Sequence, residues 1–469
     1  MLIETNVEVN LRSIEEFTRV MVSELLEDKI NFEILKENDL IKIKVKSEKL
    51  NQSIEFSYID LGNKIEDQIL AMCKISLLKL LDKKYNWGSL MGVRPTKVLR
   101  RLLINGCDYK EARKILKDFY LVTDEKINLM ETVVKKELEL LDKEHINLYI
   151  GIPFCPTKCK YCSFASYEIN GGVGRFYNDF VEALLKEIQI VGDFLKTYSK
   201  KVSSIYFGGG TPSTLTEDDL ERVLRKLLEN IDMSDVKEFT FEAGREDSLN
   251  IKKLEIMKKY SVDRMSLNPQ SFNLETLKRV NRRFNRENFD LIFKEAKKLG
   301  FIINMDLIIG LPEETTEEIL NTLRQLKDYD IDNLTIHCLA FKRASKLFKE
   351  SQERNVINRA LIEEHIQKIV EEKSMKPYYM YRQKNIIEWG ENIGYSKEGR
   401  ESIFNIEMIE ENQNTMALGG GGISKIVIEE RNGIDYIERY VNPKDPALYI
   451  RELDKRCKEK IEMFKKEKI

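Results

Sequence analysis

The pattern of apolar and polar positions divides this chain near residue 146. Before that point, short segments in which apolar residues alternate or cluster predict strands, and segments with helical periodicity predict longer helices. The predicted strands cover 2–9, 41–45 and 54–59, and the predicted helices cover 12–27, 65–83 and 123–142. We therefore expect residues 1–145 to form an N-terminal α+β domain.

From residue 147 onward, strand-like segments alternate with amphipathic helices. The strand-like segments lie at 147–153, 204–207, 238–242, 264–267, 301–308 and 334–339. Six successive β/α units predict a parallel sheet with right-handed crossovers. Because a closed barrel of this kind needs eight units, the expected fold class is α/β, with an open partial (β/α)6 barrel over residues 146–345.

The last segment, 346–469, is expected to form a C-terminal domain that caps the open side of the barrel. It begins with a Lys- and Glu-rich stretch that predicts a helix to about residue 373. Farther along, Gly419-Gly-Gly-Gly422 precedes another apolar run. In parallel α/β sheets, functional residues gather at the carboxyl ends of the strands, so that edge is the expected site.

Composition and charge exclude a strong general attraction to nucleic acid or to an anionic membrane. Lys plus Arg number 77 and Asp plus Glu number 79, which leaves a formal net charge of −2 over 469 residues. No apolar run approaches the ~18 residues of a membrane span, and the N-terminus shows no signal-peptide pattern. With seven cysteines and no export signal, we expect a reducing, cytoplasmic location.

Three of the cysteines, Cys155, Cys159 and Cys162, lie in one short loop with the spacing C-x3-C-x2-C. Iron–sulfur clusters are held by cysteine thiolates, normally four of them. Three thiolates can bind three irons of a 4Fe-4S cluster and leave the fourth iron open. The spacing therefore indicates a cluster whose open iron binds S-adenosyl-L-methionine (SAM), with these cysteines as metal ligands and catalytic residues.

A zinc site, a disulfide or three buried thiols are the other interpretations of this loop. A structural zinc site needs four ligands, and no further His or Cys follows at suitable spacing. A disulfide would leave one of the three cysteines over. The cluster is the interpretation that the spacing and its flanks favour.

An ordered set of motifs surrounds the cysteine loop. Tyr149-Ile-Gly-Ile-Pro-Phe-Cys155 is followed by Gly208-Gly-Gly-Thr-Pro212, Arg264-Met-Ser-Leu-Asn-Pro-Gln270, Val280-Asn-Arg282 and Asn304-Met-Asp-Leu-Ile-Ile-Gly-Leu-Pro312. In these motifs the chain resembles the radical SAM superfamily and, within it, the oxygen-independent coproporphyrinogen III dehydrogenases. Gly92-Val-Arg-Pro-Thr-Lys97 and Pro377-Tyr-Tyr-Met-Tyr-Arg-Gln-Lys-Asn385 further resemble the HemZ-type branch.

The resemblance implies a radical SAM barrel with a 4Fe-4S cluster and SAM as cofactors. The matching cofactor-binding positions are Tyr149, Tyr161, Gly209, Gly210, Thr211, Glu242, Gln270, Arg282 and Asp306.

Two of these positions carry a carboxylate among apolar neighbours, where a charge is costly to bury unless it is paired. The SAM amino group would suit Glu242 and the ribose hydroxyls would suit Asp306. Arg282 is either a clamp for a carboxylate or a surface helix residue, and Tyr161 either contacts the cofactor or packs around the cluster.

The resemblance also implies oxygen-independent oxidative decarboxylation of coproporphyrinogen III to protoporphyrinogen IX. The implied partners are a tetrapyrrole substrate and a low-potential electron donor such as flavodoxin or ferredoxin. Tyr378, Tyr379, Tyr381, Arg382 and Lys384 would then offer aromatic faces and cations to the substrate. Arg94 and Lys97 lie either in a structural turn or at an anion or substrate contact.

The chain departs from the catalytic relatives at Ser163-Phe164, where those proteins carry a fourth cysteine. A phenylalanine at this place resembles a branch of haem chaperones. Two alternatives therefore remain: a haem-binding chaperone that retains the cluster, and a radical SAM enzyme acting on another tetrapyrrole. His337, one of three histidines, is either a haem ligand or a core residue.

Overall fold

The computed structural model describes residues 2–59, 61, 65–90, 92, 94–340, 345–347, 356–383, 390–429 and 435–465. These residues form two compact units that divide between Lys135 and Lys136. The three domains predicted from the sequence, 1–145, 146–345 and 346–469, stay a prediction. Among the described helices, none is long and apolar enough to cross a membrane.

The first unit combines a small sheet with helices. Its elements are strands β1 (Leu2–Thr5), β2 (Lys29–Glu37), β3 (Leu40–Ser47) and β4 (Gln52–Ile59), and helices α1 (Leu11–Met21), α2 (Ile65–Leu80), α3 (Thr96–Ile104), α4 (Tyr109–Lys114) and α5 (Asp124–Leu140), the last running into the second unit. Strand β1 pairs parallel to β2, and β2, β3 and β4 pair antiparallel. Apolar side chains of α1, α2, β2 and β3 form its core.

The second unit holds a large sheet surrounded by helices. Its strands are β5 (Ile146–Ile152), β6 (Phe154–Cys155), β7 (Tyr167–Glu168), β8 (Val202–Gly209), β9 (Glu238–Phe241), β10 (Arg264–Ser266), β11 (Ile302–Ile309), β12 (Asn333–Cys338), β13 (Met375–Tyr381), β14 (Asn392–Lys397), β15 (Asn414–Gly419), β16 (Ile423–Glu429) and β17 (Asp435–Val441). Its helices are α6 (Tyr177–Thr197), α7 (Glu217–Asn230), α8 (Ile251–Lys259), α9 (Leu274–Arg279), α10 (Arg286–Lys298), α11 (Thr316–Gln325), α12 (Arg359–Glu372), α13 (Ile403–Glu410) and α14 (Pro446–Lys465).

The strand order confirms the predicted α/β architecture. Within the described residues, the large sheet runs β13-β14-β12-β11-β10-β9-β8-β5-β15-β16-β17. The six predicted barrel strands, β5 and β8 to β12, are consecutive and parallel. The segment after residue 345 extends the array at both ends, because β15 pairs parallel to β5 and β14 pairs antiparallel to β12.

The sequence missed one strand, and the helix predicted from residue 346 to about 373 is described only in part. Helix α12 begins at Arg359, where the Asn358 side chain caps it by accepting from the Leu361 amide at 3.1 Å, and residues 348–355 lie outside the described residues. The strand β2 was not expected, although Ile30, Phe32 and Ile34 alternate with polar residues and are buried.

Buried polar groups cover the N-terminal end of the barrel strands. Arg264 begins β10, lies 4.0 Å from the Glu238 carboxylate at the start of β9, and donates to the Arg400 carbonyl at 2.7 Å. Glu238 in turn accepts from Ser402 Oγ at 2.9 Å and from the Ile403 amide at 2.6 Å. The tail segment before α13 is therefore attached to the barrel by hydrogen bonds.

A fully buried ion pair fastens the C-terminal helix α14 to the barrel. Lys460 Nζ lies 2.6 Å from Glu187 Oε1 on α6, and neither side chain is exposed. The second carboxylate oxygen accepts from Tyr449 OH at 2.6 Å and from the Gly419 amide at 2.7 Å. This carboxylate thus joins α6, α14 and the end of β15.

Replacing Glu187→Gln should destabilise the protein strongly, because the Lys460 ammonium would remain buried without a counter-charge. Breaking one side of a buried pair typically costs ~3–5 kcal/mol. A matched control is Glu452→Gln, which breaks the partly exposed Glu452–Arg456 pair on α14, the helix that carries Lys460. This substitution should cost ~0–1 kcal/mol. Thermal unfolding followed by circular dichroism measures both effects, and equal melting temperatures for the two variants would contradict the assignment.

Candidate functional site

A cavity of about 360 Å³ lies at the carboxyl edge of the parallel strands. Side chains of the cysteine loop, of the barrel strands and of the tail all line it. The sequence-predicted site residues that it brings together are Cys155, Cys159, Tyr161, Cys162, Gly209, Gly210, Thr211, Glu242, Gln270, Arg282 and Asp306. Tyr149 is not on the cavity wall, and its assignment stays a prediction.

The cysteine loop is held in place by short pairings on both sides. Strand β6, which contains Cys155, pairs with β7, and the Ile169 amide donates to the Cys155 carbonyl at 2.9 Å. Thr211 Oγ1 donates to Cys155 Sγ at 3.2 Å, and Ser166 Oγ lies 3.9 Å from Cys162 Sγ. The loop therefore presents its thiols from a fixed backbone.

These thiols do not converge on a single point. Among the described residues, no group of three or more His, Cys, Asp or Glu side chains is placed to hold one metal ion. A cubane makes a different demand, because each thiolate binds a separate iron. The donor set of three thiols around one cavity wall therefore fits a cluster better than a zinc ion.

Burial favours the protonated form of Cys155 and Cys162. Desolvation raises the pKa of Cys155 to about 11 and also raises the pKa of Cys162. Iron must displace these protons, since the thiolate is the ligand. Assembly of a metal centre at this loop would therefore release protons.

Three consecutive glycines at the end of β8 allow its backbone to lie close to neighbouring backbone and side-chain atoms. A Cβ at Gly210 would lie 2.5 Å from the Phe154 carbonyl oxygen, and Gly209 has φ of +107°. A Cβ at Gly208 would lie 2.9 Å from Glu242 Oε2. The close approach that these glycines permit is therefore to the cysteine-loop backbone and to Glu242, at the edge where the cofactor is predicted to bind.

Two carboxylates face the cavity and differ in their protonation. Burial and, to a lesser extent, the nearby Asp306 carboxylate together raise the pKa of Glu242 to about 8. Burial alone would also raise the pKa of Asp306, but His337 and Asn304 hold it below its ordinary value. Near neutral pH, Glu242 is thus mainly neutral and Asp306 is charged.

Asp306 lies within β11, with amide groups around its carboxylate. Its Oδ1 accepts from Asn304 Nδ2 at 2.7 Å and its Oδ2 accepts from Asn268 Nδ2 at 2.9 Å. His337 Nε2 lies 3.7 Å from the same Oδ2. The sequence predicted the charge and its need for partners but did not identify Asn268 and Asn304.

Gln270 and Arg282 also line the cavity. Gln270 has a positive φ of 65° and exchanges backbone hydrogen bonds with β11. Arg282 is buried and donates to the carbonyl oxygens of Gly244, at 2.9 Å, and Asn268. In the described part of the chain, Gln270 Oε1 and Arg282 Nε have no hydrogen-bond partner, which leaves both available to a ligand.

Sequence reasoning missed Arg245, which supports the cysteine loop. Its Nη1 donates to the Thr157 carbonyl at 3.1 Å and to Thr157 Oγ1 at 2.9 Å, and lies 3.9 Å from Cys159 Sγ. Asp247 pairs with the rest of the guanidinium at 2.5 Å. The sequence signal that could have identified Arg245 is its position three residues after Glu242, close to a strand end.

Of the five tail residues expected to face the substrate, Tyr378, Tyr379 and Tyr381 line the cavity. Arg382 is buried and does not line it, and burial lowers the pKa of its guanidinium. Lys384 lies outside the described residues.

The ring of Tyr149 lies behind the cavity wall. It stacks on Tyr206 and on Phe404 of α13, with ring centroids 6.2 and 6.1 Å apart. Phe404 itself stacks on Tyr206 at 4.3 Å. Tyr161 packs against Val280 and neighbouring apolar residues, which fits the packing role left open for it.

His337 has both ring nitrogens directed at protein groups. Its Nδ1 lies 3.2 Å from Tyr381 OH, and its Nε2 faces Asp306. Binding of a haem iron would have to displace one of these neighbours. The side chain is half-buried at the cavity wall, so it is not an apolar core residue either.

Comparisons with known proteins agree with this geometry. A family model described as the radical SAM superfamily matches residues 149–326. The oxygen-independent coproporphyrinogen-III oxidase-like protein HemZ of Bacillus subtilis (strain 168) is 39% identical over 385 residues, covering 80% of this chain and 76% of that protein. The chain belongs to the radical SAM superfamily, in its HemZ-type branch.

Two further comparisons are with a chaperone relative and with a solved structure. The heme chaperone HemW of Buchnera aphidicola subsp. Schizaphis graminum (strain Sg) is 30% identical over 197 residues, or 42% of this chain and 51% of HemW. The solved structure of coproporphyrinogen III oxidase HemN from Escherichia coli superposes with a TM-score of 0.53 at 19% identity, over 69% of this chain and 73% of that one. That likeness confirms the radical SAM fold of the barrel.

The residues present fit the cofactors of the family, a 4Fe-4S cluster and SAM. The three thiols provide the donor set for the cluster. Unpartnered Gln270 Oε1 and Arg282 Nε and the two carboxylates provide polar contacts of both signs for a zwitterionic ligand. We predict that Cys155, Cys159 and Cys162 hold the cluster and that the polar groups bind SAM.

The protonation of Glu242 predicts how SAM affinity depends on pH. If Glu242 pairs with the SAM amino group, its proton must leave on binding, so affinity should rise with pH below the raised pKa of about 8. The rise should approach about tenfold per pH unit between about pH 6 and 7.5. Equilibrium dialysis of cluster-loaded protein with radiolabelled SAM measures it.

The matched control is Glu242→Gln, which cannot lose a proton. This variant should bind SAM more weakly and with a flat pH profile. A wild-type slope that persists in Glu242→Gln would assign the pH dependence to another group.

Proposed function

We propose that this protein catalyses oxygen-independent oxidative decarboxylation of coproporphyrinogen III to protoporphyrinogen IX. The observation that carries the proposal is the continuity of one cavity from the cysteine loop to the tyrosines of β13. A cofactor bound at the loop would directly adjoin a substrate bound against the tail. The printed name of the HemZ relative, coproporphyrinogen-III oxidase-like, supports the same reaction class.

When bound, the cluster and SAM supply the capacity to abstract a hydrogen atom from an unactivated carbon. The chain's own residues contribute binding, orientation and exclusion of water. Arg245 fixes the loop between Cys155 and Cys159 through Thr157. Asp306 is held ionised for hydroxyl groups, and Glu242 accepts a cation by giving up its proton.

The substrate half of the cavity is predicted to be built by the tail. Tyr378, Tyr379 and Tyr381 are buried or half-buried tyrosines that line it, together with Asn405 and Met408 of α13. Flat aromatic and apolar faces suit the pyrrole rings of a tetrapyrrole, and the hydroxyl and amide groups suit its carboxylates. Tyrosines thus take the place that the sequence had assigned partly to Arg382.

A low-potential electron donor such as flavodoxin or ferredoxin would complete the reaction, and a cytoplasmic location would place the protein with such donors. Both remain predictions.

A haem chaperone is the second candidate function, and Phe164 is the observation that favours it. This side chain stands where catalytic relatives were expected to carry a fourth cysteine, and it lines the cavity with 64% of its surface exposed. An exposed aromatic side chain at a cavity mouth suits a bound porphyrin face. HemW relatives give this candidate independent weight.

Anaerobic turnover with coproporphyrinogen III separates the two candidates. Protein loaded with cluster, SAM and a chemical reductant should release carbon dioxide and form vinyl products detectable by mass spectrometry. The Cys155→Ala variant, as a control, should form none, because it lacks a cluster ligand. Vinyl products should accumulate in proportion to SAM cleavage.

Cleavage of SAM by the wild-type protein with no vinyl product would contradict the proposal and favour another tetrapyrrole substrate. Tight haem binding without any turnover would instead support the chaperone.

A further inference from the structure

Two chains of polar contacts connect the tail strand β13 to Asp306. In the first chain, Tyr381 OH lies 3.2 Å from His337 Nδ1, and His337 Nε2 lies 3.7 Å from Asp306 Oδ2. The second contact is longer than a hydrogen bond but within ion-pairing distance. His337 is therefore the single residue between Tyr381 and the carboxylate.

The second chain reaches the other carboxylate oxygen. Tyr379 OH lies 3.2 Å from Thr335 Oγ1, and Thr335 Oγ1 is 3.3 Å from Asn304 Oδ1. Asn304 Nδ2 then donates to Asp306 Oδ1 at 2.7 Å. Both oxygens of Asp306 are thus set by groups that continue to the same tail strand.

These contacts pass across an intervening strand. A glycine in that strand leaves the space that they need. Strand β14 lies between β12 and β13, and Gly394 of β14 pairs with Thr335 on one side and Tyr379 on the other. A Cβ at Gly394 would lie 1.9 Å from Tyr379 Cε1. Only glycine at this position lets the tyrosine ring lie across β14 toward β12.

The geometry of the first chain allows hydrogen bonds to be donated in one direction, toward Asp306. Gln383 Nε2 donates to Tyr381 OH at 3.4 Å, so the tyrosine O–H can be donated onward to His337 Nδ1. A neutral imidazole that accepts at Nδ1 carries its proton at Nε2. That proton faces the ionised Asp306 carboxylate.

We propose that His337 is a positioning residue for Asp306, and that it couples the cofactor half of the cavity to Tyr381 in the substrate half. Contact of a ligand with Tyr381 alters the partner of Nδ1, and through the imidazole it alters the orientation of the carboxylate that binds SAM. This proposal deepens the proposed function. It rests on that function only for the names of the two halves of the cavity, the cofactor half and the substrate half.

The test measures SAM affinity rather than turnover, so it is independent of the tetrapyrrole reaction. Cluster-loaded wild-type, His337→Ala, Tyr381→Phe and double-variant proteins are titrated with radiolabelled SAM by equilibrium dialysis. His337→Ala should weaken binding about tenfold, because a charged carboxylate loses a polar partner. Tyr381→Phe should weaken it less, and the double variant should be no weaker than His337→Ala.

Two further variants control for folding and for general loss of a histidine. His337→Gln retains an N–H that can reach Asp306 and should restore most of the affinity. In the His337→Gln background, Tyr381→Phe should have no effect on SAM affinity. His365→Ala removes a half-buried histidine of α12 whose ring contacts the Leu361 carbonyl, away from the cavity, and should leave affinity unchanged. His337→Ala binding within twofold of wild type, or additive effects of His337→Ala and Tyr381→Phe, would overturn the proposal.

Discussion

Charged side chains inside the barrel can remain ionised only where neighbouring groups pair them, because removing an unpaired charge from water is expensive. This constraint shapes the interior of the second unit from one end to the other. At the N-terminal end of the strands, Arg264 lies near the Glu238 carboxylate, and both side chains form hydrogen bonds to the tail. At the carboxyl end, Asp306 has amide and imidazole partners, whereas Glu242 has no cationic partner among the described residues and is mainly neutral.

The buried Glu187–Lys460 pair has a different role, because it stabilises the fold and neither residue lines the cavity. The cavity instead combines the buried thiols of Cys155 and Cys162 with the mainly neutral Glu242 carboxyl, and among the described residues Gln270 Oε1 and Arg282 Nε have no hydrogen-bond partner there. Such groups are stabilised when iron and a zwitterionic cofactor bind, so the site is complete only with its cofactors.

Much of the barrel could be predicted from the sequence, because strands buried on both faces read as short apolar runs between amphipathic helices. The cysteine spacing and the strand-end positions of Gly209 and Glu242 pointed to one edge of the sheet, and these residues line one cavity in the structure. Strand β2 could also have been predicted, because its buried residues Ile30, Phe32 and Ile34 alternate with polar ones.

The partners of the site residues were beyond sequence reasoning, because they come from strands distant in the chain. Asn268 and Asn304 surround Asp306 only once β10 and β11 pair, and Tyr381 reaches His337 only across β14. Arg382 was expected to face the substrate. It directly follows β13 and is buried outside the cavity wall, whereas Tyr381, the last residue of β13, lines the cavity.

The most direct test of the central claim is electron paramagnetic resonance of the reduced, anaerobically reconstituted protein, recorded before and after addition of SAM. Three cysteine ligands leave one iron open, so we expect a 4Fe-4S signal in the wild-type protein that changes when SAM binds. Cys155→Ala should lose the signal, whereas Cys338→Ala, which removes another cavity-lining thiol, should keep it and its response to SAM. A cluster spectrum that is identical with and without SAM, or one that survives in Cys155→Ala, would contradict the assignment.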